Sequence, residues 1–178
     1  MRRIIFIGMI ALLSMTPVWA ADDVDTQNST VGGTIPELCQ ILIAGDLTGL
    51  LTLTQDGTGE SAYDAGFIES AADATTLTLD ANKQWKLSVK YNAEWTCPGA
   101  YDKDETDLTI KITNSPTGTI QNSYDSYQSP PVANEEMLSH ATGVSDNSVE
   151  IQTRVDLDWT TDIPGVYSIT LVYTMETY

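Results

Sequence analysis

Residues 149–159 read VEIQTRVDLDW. Val149, Ile151, Val155, Leu157 and Trp159 alternate with Glu150, Gln152, Arg154, Asp156 and Asp158, so one side of the segment is apolar and the other polar. A period of two is the repeat of a pleated strand, whose successive side chains point to opposite faces. The segment therefore predicts a long strand with one buried and one wet face, and Trp159 as a core residue.

The same period recurs on both sides of this stretch. Downstream, Asp162-Ile163-Pro164-Gly165 supplies turn residues. Tyr167, Ile169, Leu171, Tyr173 and Met175 then alternate with Ser168, Thr170 and Thr174 to the C-terminus. Upstream, Leu108, Ile110 and Ile112 alternate with Thr109, Lys111 and Thr113, and Trp85, Leu87, Val89 and Tyr91 with Lys86, Ser88 and Lys90. Ile35, Cys39, Ile41 and Ile43 share one parity, continued by Leu47, Leu51 and Leu53 up to the turn Asp56-Gly57-Thr58-Gly59. Helical spacing is absent over any length. ESAADATT (69–76) predicts one helical turn at most, and 114–134 reads as loop, with Pro130-Pro131 barring a helix or a central strand. The fold class that follows is all-β, an antiparallel immunoglobulin-like β-sandwich, with barrel closure as the structural alternative.

The chain has 178 residues, 42% of them apolar and 19% charged, enough to bury one core. Its N-terminus, MRRIIFIGMIALLSMTPVWA, has two arginines, an apolar run and a small-residue ending, the layout of a secretory signal peptide over residues 1–20. The apolar run is shorter than the roughly 20 residues that span a bilayer, so no membrane span is expected once it is removed. Residues 21–34 are polar and predict a flexible lead, leaving 35–178 as the β-sandwich domain. Export places the product in the periplasm, at the cell surface or outside the cell. Cys39 and Cys97 are the only cysteines, and an oxidising destination makes a disulfide between them the expectation. A formal charge of −17 repels phosphate backbones, so no nucleic-acid partner is expected.

No residue stands out as catalytic. His140, the single histidine, lies beside no nucleophile signature, and one His with two cysteines does not make up a zinc site. GDLTGL and DGTGE lack the Lys of a phosphate-binding loop. With 25 acidic residues, no carboxylate pair is marked out for glycoside hydrolysis. The reading is therefore non-enzymatic, with no cofactor apart from a candidate calcium ion. Asp102, Asp104 and Asp107, in DKDETD, are the candidate metal ligands, weighed against a solvated acidic turn, which is the favoured reading. Trp95, Tyr101, Tyr124 and Tyr127 fall in loop or strand-edge segments and are the candidate glycan-stacking residues of a secreted carbohydrate-binding module, while Trp85 reads as core.

The closing stretch GVYSITLVYTMETY has a Gly, then alternating apolar residues, then a terminal Tyr. It resembles the C-terminal strand of chaperone–usher pilus subunits, including the spore-coat-U-like group, and STVGGTIPELCQI is similar to that group's first strand. The resemblance implies an incomplete immunoglobulin-like sandwich completed by a neighbour's strand, and so filament assembly. It also implies that Gly165, Tyr167, Ile169, Leu171, Tyr173 and Tyr178 form the assembly strand. Partners would be further copies or other envelope proteins, engaged by strand addition. In residues 21–34 the bulky apolar residues are Val24 and Val31, so a self-complete sandwich stands as the rival arrangement.

Overall fold

A computed structural model describes residues 36–45 and 58–178. All of these fall within the unit Ile35–Tyr178, and the expected leader and lead segment lie outside the described residues, as do Leu47, Leu51 and Leu53. In chain order the elements are β1 (Cys39–Gly45), α1 (Thr58–Ala65), β2 (Phe67–Glu69), β3 (Thr75–Ala81), β4 (Trp85–Tyr91), β5 (Leu108–Asn114), β6 (Thr119–Ile120), β7 (Glu135–His140), β8 (Val144–Asp156) and β9 (Leu171–Thr177).

All pairings are antiparallel and form two sheets. The first is organised around β8, which at 13 residues is long enough to pair on both sides. Its residue Val155 faces Ile68 of β2 on one side and Leu108 of β5 on the other, and Ile151 likewise lies between Thr75 and Ile112. Strand β1 pairs outside β3, and the second sheet runs β6-β7-β4-β9.

One core joins the two sheets. Leu77 and Leu79 of β3, Ile110 and Ile112 of β5, and Val149 and Ile151 of β8 meet Trp85, Leu87 and Val89 of β4, Met137 and Leu138 of β7, and Met175 of β9. Period-two alternation brings these residues to one face of each strand, and burial of each large apolar side chain contributes about 1.5–3 kcal/mol. Strand β7 departs from the rule. A register shift opposite Leu87/Ser88 leaves Met137 as an extra residue, so the neighbours Met137 and Leu138 are both buried.

Several expectations need correction. The strand read from Val149 begins earlier, at Val144, and stops at Asp156. Trp159 is 58% exposed and not core, because the chain turns at Asp158, whose carboxylate accepts from both the amide and the hydroxyl of Thr160. ESAADATT holds no helix: it carries one hydrogen-bonded turn, Ala74 amide to Ala71 carbonyl, between Glu69, which closes β2, and Thr75, which opens β3. The helix lies earlier, at Thr58–Ala65, and ends at Gly66, whose φ of +79° lets its amide bond back to Tyr63. The loop 114–134 contains the short strand β6, and Gln128 pairs with Ile110.

The disulfide is absent, and Cys39 and Cys97 are both free. Cys39 Sγ lies 3.6 Å from the Met175 carbonyl, whereas Cys97 follows Thr96, which pairs with Ser168. At about 3.3 Å per residue, the stretch of β9 and its approach from Met175 back to Ser168 separates the thiols by about 20 Å, far beyond bridging distance.

Candidate functional site

Strands β1 and β9 are the terminal strands of their sheets. Among the described residues, β1 pairs only with β3 and β9 only with β4, so each presents a free edge. The two edges approach one another where Cys39 meets Met175. Beyond that contact they flank an apolar groove of about 260 Å³ lined by Ile41, Ile43, Leu171, Val172 and Tyr173. Cys39, Ile41 and Ile43 share one side of β1, as Leu171, Tyr173 and Met175 share one side of β9. Ile41, Leu171 and Tyr173 pack against the core from this position, while Ile43 is 46% exposed. Leu38 and Leu42 are also exposed. Burial pushes the Tyr173 hydroxyl well above the usual phenol range.

Of the residues assigned to the assembly strand, Leu171 and Tyr173 line this groove. Tyr178 lies past the end of β9, exposed, with its amide bonded to the Gln84 carbonyl and Lys86 Nζ 6.0 Å from its ring. Gly165, Tyr167 and Ile169 precede the ladder. Gly165 is pressed against Pro98, and the Tyr167 hydroxyl donates to the Ile163 carbonyl at 2.6 Å.

The four aromatics considered for glycan stacking do not share a platform. Tyr124 is fully buried in the core, its hydroxyl donating to Glu135 at 2.7 Å, so its ring is closed to a ligand. Burial, then the hydrogen bond to Glu135, pushes this hydroxyl well above the usual phenol range. Tyr127 is covered by Lys111, 4.3 Å from its ring centroid, and by Arg154 at 5.4 Å. Its hydroxyl is sealed from solvent without a hydrogen bond of good geometry, and burial, then the Glu69 carboxylate, pushes it up to about 12. The Trp95 indole donates to the Asp104 carbonyl, and the Tyr101 hydroxyl to Asp162 at 2.9 Å.

The acidic loop is similarly engaged. Asp104 caps the short 3-10 turn Glu105–Asp107, accepting from the hydroxyl and amide of Thr106, which hold its carboxyl below the usual range. Asp107 pairs with Lys103 and Asp102 is exposed, so the three carboxylates do not converge. Among the described residues, no group of three or more His, Cys, Asp or Glu side chains is placed to hold a metal. His140, on β7 opposite Trp85, has its Nδ1 engaged by Thr142.

Sequence reasoning missed a buried ion cluster. Lys103, 4% exposed, reaches Asp162, 2% exposed, and Asp107, both at 3.0 Å. Asp162 also accepts from Tyr101 and from the Asp158 amide. Burial alone would raise the Asp162 pKa, yet the Asp158 amide, the Lys103 ammonium and the Tyr101 hydroxyl hold it below the usual range. For Lys103, burial opposes the charge and the two carboxylates overcome it, keeping its pKa above the ordinary value. A lysine in a polar loop carries no signal that it will be buried, and Asp162 lies 59 residues from it. The cluster ties two loops together at the end of the fold where β8 stops. No protein-family model matches the chain, and no curated protein matches it.

Proposed function

We propose that the chain is an exported, non-enzymatic subunit of the cell surface that assembles with further copies by β-strand addition, on an immunoglobulin-like sandwich left open between β1 and β9. The observation that carries this reading is the apolar groove flanked by two free strand edges. Unpaired edges beside exposed Leu38, Leu42 and Ile43 are a template for further pairing, and an isolated domain would ordinarily cover or charge them. An added strand gains main-chain hydrogen bonds from an edge and places alternate side chains against Ile41, Ile43, Leu171 and Tyr173. The leader at 1–20 supports export.

The occupant we assign is the lead 21–34 of a second copy. Its Asp22, Asp23 and Asp25 complement Lys90, which stands opposite Val172 in the ladder beside the groove.

Light scattering on residues 21–178 should show oligomers, and residues 35–178 should be monomeric. A synthetic 21–34 peptide should rebind the truncated chain and slow maleimide labelling of Cys39, which is exposed two residues from Ile41 where β1 meets β9. Ile43→Asp should block both effects without unfolding the domain. A monomeric 21–178 chain, or oligomers that survive the truncation, would refute the reading.

A further inference from the structure

Trp159 is the largest exposed apolar side chain among the described residues, and it has fixed partners. Its indole N–H donates to Asp64 Oδ1 of α1 at 3.1 Å, and Tyr63 of the same helix packs against its ring with centroids 4.7 Å apart. The turn beneath is pinned from both ends. Asp158 takes two hydrogen bonds from Thr160 at 2.7 Å, the Asp162 amide donates to the Asp158 carbonyl, and the Asp158 amide donates to the Asp162 carboxylate. That carboxylate is itself fixed by buried Lys103. A flexible exposed Trp needs no explanation, but one fixed in orientation by a hydrogen bond, a ring contact and a pinned turn is pre-organised for contact.

From this arrangement we infer that Trp159, with Asp64 and Tyr63, forms a binding site for a neutral pyranose of a glycan. Tyr63 packs against the indole at an interplanar angle of 35°, and Trp159 still keeps 58% of its surface exposed, enough for an open face. A pyranose lying flat on the open face sets its C–H groups on the π-surface while its equatorial hydroxyls project past the ring's rim. The Asp64 carboxylate waits at that rim, close to the ring plane because the indole N–H points at it, and a carboxylate is a strong acceptor for sugar hydroxyls. A cation centred over the ring would sit away from this carboxylate, and a cation-binding cage needs more than one open aromatic face. Anionic sugars are disfavoured by Asp64 and Asp158 and by the chain's charge of −17. The site is separate from the β1/β9 groove, and neither reading depends on the other.

The test is calorimetric titration of residues 21–178 with cellotetraose, chitotetraose and mannotetraose, and with tetramethylammonium as the cationic probe. At least one tetrasaccharide should bind with a dissociation constant of about 0.1–1 mM, the range of a few polar contacts and one stacked ring. Trp159→Ala should weaken it at least tenfold and Asp64→Ala at least threefold, with unchanged circular dichroism. Trp159→Phe, which keeps a flat face, should retain binding within about fivefold of the parent. Trp95→Ala should leave it unaltered. Failure of all three sugars to bind, equal binding by Trp159→Ala, or binding of tetramethylammonium alone would overturn the inference.

Discussion

Replacing Asp162 by Ala removes a carboxylate 2% exposed from an ammonium 4% exposed, 3.0 Å away. It also strips the Tyr101 hydroxyl and the Asp158 amide of their acceptor. Breaking a buried ion pair by deleting one partner costs about 3–5 kcal/mol, because the remaining charge is left without its counterion. Lys103 keeps Asp107 at 3.0 Å, a partner 32% exposed that is partly screened by water, so the lower end, about 3 kcal/mol, is expected. At about 2–4 °C per kcal/mol for a domain of this size, the melting temperature should fall by about 10 °C. Lys103→Met should cost a similar amount, and the double variant clearly less than the sum, since both buried charges are then gone and only Asp107, 32% exposed and reached by water, loses its counterion. Urea unfolding of the four chains measures this, and a loss below about 1 kcal/mol for Asp162→Ala, or strict additivity, would refute the reasoning.

The same cluster fixes a pH signature. Asp162 has a folded pKa below its unfolded value of about 3.9, so its contribution is complete above that pH and is lost as pH falls through the lower folded value. Lys103 has a folded pKa above its unfolded value of about 10.4, so its contribution is complete below that pH and is lost as pH rises through the higher folded value. The stability difference between the parent and Asp162→Ala should be flat from about pH 4 to 10 and shrink at both ends.

Two further outcomes follow from local geometry. A Cβ on Gly165 would lie 2.4 Å from Pro98 Cβ and 2.6 Å from its Cγ, so Gly165→Ala should lose about 1–3 kcal/mol in urea unfolding, and a neutral result would show that the loops separate freely. With Cys39 and Cys97 both free, the melting temperature should be the same with and without dithiothreitol, and Cys39 should react with a thiol reagent faster than the half-buried Cys97. A fall in reductant would show a cross-link.

The alternating segments identified β1, β4, β5, β8 and β9 because a strand packed on one face writes its burial directly into a two-residue period. TTLTLDA has the same pattern, so β3 is legible there, although the Ala-rich residues just before it also fit a single helical turn. Strand β7 was not legible. EEMLSH does not alternate, because β7 carries a bulge opposite Leu87/Ser88 that buries both Met137 and Leu138. Trp159 is in phase with the core residues of β8, but phase cannot register that β8 stops at Asp156 and that Asp158 caps a turn there. The two cysteines gave a pairing by count and compartment alone, and the count contains no distance.

The sequence by itself determined that the chain is built of antiparallel strands with one apolar face each, because that depends on neighbours one and two residues apart. Tertiary structure alone decided which strands end the sheets among the described residues, and therefore that β1 and β9 have no second partner there and flank an apolar groove. It alone brought Lys103 to Asp162 and Trp159 to Asp64, since contacts between residues 59 and 95 positions apart leave no periodic trace in the chain.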